Sequence, residues 1–239
     1  MVARWLAGLR ARGLCQWSLR SCGPFSGPPP LGLGGQRPRV SARTTATLSV
    51  QPAGRSLCDE PLRIAARGLA PEQPVTAAVI INGSVAAVGG TIYYKDESVP
   101  PVTIMRNRVK MTEDGIMDIV DALKSPLEDW KSFIPVERSD TAFLFLVGED
   151  DHNWKSEFYA NEASKRLEAH GKKKPQIICY PETGHYIEVP YIPLCKAGLH
   201  SLVGAPIIFG GQPRAHAMAQ VDVWKQLQAF FHKHLGSNS

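Results

Sequence analysis

The chain has 239 residues, 44% of them apolar, which suffices for one ordinary core in one domain or two small ones. No run approaches the ~18–20 uninterrupted apolar residues of a membrane-spanning helix, so an integral membrane segment is not expected. The net charge of +5 is uneven: residues 1–58 hold eight Arg and no Lys, Asp or Glu, leaving 19 basic against 22 acidic side chains in 59–239. A mildly acidic globular part without a basic, aromatic-interleaved stripe excludes nucleic acid as the expected partner.

Residues 1–46 read as a mitochondrial targeting presequence. Arg4, Arg10, Arg12 and Arg20 alternate with Trp5, Leu6, Leu9, Leu14, Trp17 and Leu19. That is an Arg-rich, acid-free amphipathic composition, and Arg interrupts every apolar run that a secretory signal would need. The Pro- and Gly-rich stretch that follows (Pro28, Pro29, Pro30, Gly32, Gly34, Gly35) also fits a plain N-terminal tail. Of the five Cys, Cys15 and Cys22 fall in this segment, and Cys58, Cys179 and Cys195 form no C-x-x-C pair. Free thiols in a reducing compartment, the mitochondrial matrix or the cytosol, are expected.

Residues 47–76 are too short for a domain; Pro61, Pro71 and Pro74 punctuate them, and only Leu62–Ala66 resembles a strand. Ala77–Asn82 is a continuous apolar run ending at Asn82-Gly83-Ser84, the pattern of a strand buried on both faces followed by a turn. Between 85 and 140, Gly89-Gly90 and Pro100-Pro101 break the pattern, and Ile116, Ile119, Val120 and Leu123 suggest one short helix. Thr141–Val147 then reads as a buried strand, Trp154–His170 as a helix burying Phe158, Tyr159, Ala163 and Leu167, and Gln176–Tyr180 as a second strand. Strand, helix, strand in about 40 residues is a βαβ unit, the building block of a parallel sheet. A last helix, Ala215–His234, offers Met218, Val221, Leu227 and Phe231 to the core.

In open parallel sheets the chemistry sits beyond the carboxyl ends of the strands. Two loops qualify, Gly148-Glu149-Asp150-Asp151-His152 and Pro181-Glu182-Thr183-Gly184-His185. If their strands are adjacent, an Asp and a His project from one edge, as the orienting half of a catalytic triad in which the carboxylate fixes the imidazole tautomer. Asp before His is also the α/β-hydrolase chain order. The bland readings stay open: an acidic cluster before a helix complements its dipole, and a loop His is often only exposed. Asp150, Asp151, His152 and His185 are chemically acceptable zinc ligands, but their spacing matches no metal motif. Lys172-Lys173-Lys174 follows a helix C-terminus, where cations are favoured without any ligand. No G-x-S-x-G turn exists for Ser or Cys, so no nucleophile is assigned; Ser84, after the strand Ala77–Asn82, reads as a turn residue.

Several segments carry a resemblance: Gly68–Val75, Val79–Val85, Phe133–Glu137, Phe143–Gly148, Asp150–Glu157 and Tyr180–Ile187 are similar to the type I acyl-CoA thioesterases, relatives of bile acid-CoA:amino acid N-acyltransferase. The resemblance runs from about residue 44 to the C-terminus, and the Arg-rich start is most similar to a mitochondrial member. It implies an N-terminal β-sandwich-like domain before an α/β-hydrolase domain, and a Ser-Asp-His triad cleaving fatty acyl-CoA without a cofactor, CoA being part of the substrate. The family's Asp falls on Asp151 and its His on His185. The family's nucleophile turn has no counterpart, because Thr76 runs directly into Ala77. The expected organisation is therefore α/β: 1–46 presequence, 47–76 a remnant of the β domain, and 77–239 the C-terminal part of the hydrolase domain. Two expectations follow: little or no hydrolysis by this chain, and an unprotected sheet edge at Ala77–Asn82.

Overall fold

The computed structural model describes residues 75–94 and 96–235, together with the backbone of three short earlier strands. In chain order the strands are β1 (Leu6–Gly8), β2 (Thr47–Gln51), β3 (Arg63–Arg67), β4 (Ala77–Ile81), β5 (Ile92–Tyr94), β6 (Glu97–Val99), β7 (Lys110–Met111), β8 (Met117–Asp118) and β9 (Ala142–Gly148). Helix α1 (Ser156–Ala169) leads to β10 (Gln176–Tyr180), β11 (Ala197–His200), β12 (Ala205–Ile208) and helix α2 (Pro213–Leu235). The chain divides into two units, Met1–Arg12 with Val75–Ser239, and Gly13–Pro74. The second unit contains the antiparallel pair β2–β3, with Arg63–Arg67 close to the strand expected at Leu62–Ala66. The rest of the expected presequence, 1–46, lies outside the described residues.

The central sheet has the order β1-β4-β9-β10. β4, β9 and β10 are parallel, with Ile80 opposite Phe145 and Ile178 opposite Leu146. Side chains alternate across a strand, and both faces of this sheet are covered, which is why β4 and β9 are continuous apolar runs rather than alternating ones. One face presents Ala78, Ile80, Phe143, Phe145 and Val147 to Tyr159, Ala160, Ala163 and Leu167 of α1. The other presents Ala77, Val79, Leu144 and Leu146 to Val223, Leu227 and Phe230 of α2. Each large apolar side chain so buried contributes about 1.5–3 kcal/mol. Along the edge of β4 expected to be open, β1 pairs antiparallel, Leu6 opposite Val79 and Gly8 opposite Ala77. Ala77–Ile80 are no more than 3% exposed.

The short helix expected at Ile116–Leu123 is absent. Thr112 and Gly115, the latter at φ +75°, close a tight turn, with Ile116 N–H donating to Thr112 Oγ1 at 3.0 Å. This turn makes β7 and β8 an antiparallel pair, and Met117 also pairs with Ile207 in a second sheet of order β11-β12-β8-β7. Backbone bonds from Met105 N–H to Ala122 O at 2.6 Å and from Lys124 N–H to Thr103 O at 2.9 Å tie residues 122–124 to the 103–105 segment, and Ala122 N–H to Ile119 O at 2.9 Å closes only a single turn before it. Four apolar residues at helical spacing are too few to overcome nucleation when such partners exist.

Helix α2 buries Leu227 and packs Phe231 against the core as expected, but its buried face also takes in residues the apolar count did not include. Met218 is 65% exposed, whereas His216, Ala219, Gln220, Val223, Leu227 and Phe230 are buried. Counting apolar residues alone misses His216 and Gln220, polar side chains that are each 2% exposed. No helix among the described residues is long and apolar enough to cross a membrane.

Candidate active site

Because β9 and β10 are parallel neighbours, the loops after Gly148 and Tyr180 leave the same edge of the sheet. Backbone bonds join the loops, Glu149 N–H to Tyr180 O and Asp150 N–H to Thr183 O, both at 3.0 Å. The approach requires glycine at 148, since a Cβ there would meet the backbone carbonyls of Thr183 and Gly184. The second loop is tied down in turn: His185 N–H donates to Phe209 O and Gln212 N–H to Glu182 O, both at 2.8 Å.

These constraints bring Asp151 and His185 together, as expected. His185 Nδ1 lies 3.0 Å from Asp151 Oδ2, and the residues are 4% and 6% exposed. The carboxylate is saturated with donors: Ser156 Oγ–H reaches Oδ2 at 2.6 Å, and Asn153 N–H and Trp154 N–H reach Oδ1 at 2.8 and 3.4 Å. The Asn153 and Trp154 donors precede α1, so Asp151 anchors the loop instead of only facing a helix dipole. The carboxylate accepts each of these three hydrogen bonds. It fixes the imidazole with Nδ1–H donating to Asp151, which makes Nε2 an acceptor. Asn153 Nδ2–H donates to that nitrogen at 2.9 Å.

Asn82, at the end of β4, ties the three strand ends together. Its Nδ2–H₂ donates to Gly184 O at 3.1 Å and His185 O at 2.8 Å, while its Oδ1 accepts from Gly148 N–H at 2.6 Å. Its own carbonyl accepts from Trp154 Nε1–H at 2.7 Å. The backbone at Asn82 is left-handed, φ +41°, a conformation Asn tolerates better than most residues. Aromatic rings box the imidazole: Trp154 edge-on at 5.7 Å, Tyr186 at 5.0 Å and Phe209 stacked at 6.3 Å.

The other titratable loop residues go elsewhere. His152 Nδ1 meets Asp118 Oδ2 at 3.0 Å and its Nε2 meets Asp150 Oδ1 at 3.3 Å, so the four residues weighed as zinc ligands divide into two separate networks. Asp150 also accepts from Gly211 N–H at 2.7 Å. Ser84 Oγ is engaged by its own turn, accepting from Ala86 N–H at 2.9 Å and donating to Ala86 O at 3.0 Å. Burial pushes the phenol of Tyr159 up to about 12, opposed by the nearby Ser84 hydroxyl. Among the described residues the partner recorded at His185 Nε2 is thus an amide, not a hydroxyl. Sequence reasoning missed Asn82, Asn153, Trp154 and Ser156. The one legible signal was an Asn followed by Gly at the end of a buried strand.

An imidazole held by a buried carboxylate can take a proton from a hydroxyl at Nε2 and return it to a leaving group. The family model for the C-terminal region of BAAT / acyl-CoA thioester hydrolases matches residues 65–237. The mouse protein named acyl-coenzyme A thioesterase 2, mitochondrial, is 76% identical over 165 residues, which are 69% of this chain and 36% of that protein. The human protein of the same name is 75% identical over 166 residues, covering 34% of its length. Human acyl-coenzyme A thioesterase 1 is 75% identical over 166 residues, covering 39% of its length. The chain therefore spans little more than a third of the curated relatives it matches. With a sheet and flanking helices consistent with the hydrolase fold, and the family model covering most of its length, the chain belongs to the BAAT / acyl-CoA thioester hydrolase family.

Proposed function

We propose that the chain carries the acid and base of a fatty acyl-CoA thioesterase, Asp151 and His185, without the nucleophile that completes the triad. In the complete reaction a hydroxyl attacks the thioester carbonyl as His185 Nε2 takes its proton, and the imidazolium, steadied by Asp151, returns the proton to the departing CoA thiolate. Water then releases the fatty acid by the same route, and no cofactor takes part. The observation that carries this reading is the buried contact between His185 Nδ1 and Asp151 Oδ2 at 3.0 Å, on a chain 75% identical to a named thioesterase. The sequence holds no G-x-S-x-G turn, and Asn153 occupies His185 Nε2 where a nucleophile would be expected. Loss of a triad nucleophile lowers turnover by about 10⁶ in a well-studied serine hydrolase, so this chain is proposed to be nearly inactive.

The Arg-rich start and the name of the mouse and human relatives support a mitochondrial matrix location, with the cytosol as the alternative. Calorimetric titration with a non-hydrolysable long-chain acyl-CoA, run beside thiol detection with the natural thioester, tests the functional reading. Neither heat nor thiol supports a chain without activity. Heat without thiol makes it an acyl-CoA-binding module. Sustained thiol release at the rates of an intact esterase contradicts the proposal.

A further inference from the structure

At the end of the sheet opposite the Asp–His pair, the starts of β9 and β10 and the last turn of α2 enclose a cavity of about 100 Å³. Ala142, Phe143 and Phe230 contribute its apolar surface, and Lys173, Lys174, Lys233 and His234 are its cationic or titratable lining. β9 is seven residues long, which puts this cavity ~20 Å from the loops that hold Asp151 and His185. No Asp or Glu lines it.

The charges around it are not balanced. Lys172 is taken by Asp140 at 2.7 Å and Lys174 by Glu168 at 3.1 Å. Lys173 and Lys233 have no carboxylate within ion-pair distance among the described residues. The carbonyl end of α2 offers roughly half a negative charge, less than these two ammonium groups carry. Burial lowers the pKa of His234 from its ordinary value, and the positive charges of Lys173 and Lys233 lower it further. Two ammonium groups and an imidazole at one concave site would recover favourable energy from a shared anion. At ~30 Å³ per water the cavity has room for roughly three waters, or for an oxyanion in their place.

We propose that this cavity is a binding site for a phosphate monoester group, held by Lys173, Lys233 and His234 over the Phe143 and Phe230 floor. A tetrahedral dianion offers separate oxygens to each cation, and the apolar floor accommodates the carbon substituent of an ester. The same chemistry arises from a soluble phosphate ester or from the headgroup of a monoester phospholipid, and the two are separable by experiment. The site is independent of the Asp–His pair and of any thioester chemistry.

The test is an NMR titration of the full chain with inorganic phosphate, with chloride at matched ionic strength as the control, following the imidazole signals. Bound phosphate raises the titration midpoint of His234 by about one unit, and leaves that of His232, absent from the cavity lining, unmoved. Lys173→Ala and Lys233→Ala, both exposed and so not expected to disturb folding, each weaken phosphate binding at least about five-fold. Co-sedimentation with phosphatidylcholine vesicles, with and without phosphatidic acid, separates the sources. Capture by phosphatidic acid that is lost in Lys173→Ala assigns the lipid source, and a phosphate response without capture assigns the soluble one. An equal His234 response to phosphate and chloride, or a phosphate affinity unchanged in both lysine variants, overturns the proposal.

Discussion

Replacing Asn82 with alanine tests how the site is held. The side chain bonds three backbone groups, Gly148 N–H, Gly184 O and His185 O, in a position 2% exposed. Each buried backbone group left without a partner costs about 1–3 kcal/mol, and partial rescue by water brings the sum to about 3–5 kcal/mol. Alanine at φ +41° adds roughly 1 kcal/mol of backbone strain, for a total of about 4–6 kcal/mol. This approaches the whole stability of a marginal domain. Urea unfolding followed by tryptophan fluorescence measures it, since Trp154 donates to the Asn82 carbonyl and reports on the same joint. Asn82→Gly loses the same bonds without the strain, so it should be about 1 kcal/mol less damaging than Asn82→Ala. An alanine variant within ~1 kcal/mol of the parent would refute the clamp, as would an alanine variant more stable than the glycine one.

Gly148→Ala should destabilise by more than ~2 kcal/mol in the same urea assay, because the new methyl meets rigid backbone at Thr183 and Gly184; a neutral effect would mean that the loops are free to separate. Asp121 has its carboxyl held down to about 2 by hydrogen bonds from Lys155 and then Lys110. Its folded pKa lies below the unfolded value, so its stabilisation is present above about pH 4 and is lost as pH falls toward 2; partial exposure limits it to ~1 kcal/mol or less. Thermal melts from pH 5 to 2 should show a shallower acid limb in Asp121→Asn. A chain beginning at residue 47 loses β1 and bares the β4 edge, so size-exclusion should show higher-order association; a clean monomer at the same concentration would show that β1 is dispensable.

The parallel core was legible because Ala77–Ile81 and Ala142–Gly148 are apolar on both faces, a pattern that few alternatives satisfy. The Asp151 and His185 contact was legible because parallel strands send their following loops to one edge. What could not be read was whatever depends on partners distant in sequence. Met117 pairs with Ile207 in the second sheet, and His216 is buried because it accepts from Gly184 N–H at 3.2 Å and donates from Nε2 to Tyr186 O at 2.7 Å. Neither pairing leaves a local periodicity. Asn153 carries no motif either, and Asn82 only the Asn-Gly pair that ends a buried strand; their roles come from the carbonyls and the imidazole nitrogen that the fold sets before them. The open edge expected at β4 is covered by Leu6–Gly8, a segment whose Arg-rich composition reads as a targeting signal.

The most direct measurement is the release of free thiol from a long-chain acyl-CoA by the purified chain and by its His185→Ala variant. An acid and base without a nucleophile predict a rate at the uncatalysed background, unchanged by the substitution. Sustained release that His185→Ala abolishes would show that a nucleophile is present after all and would contradict the account.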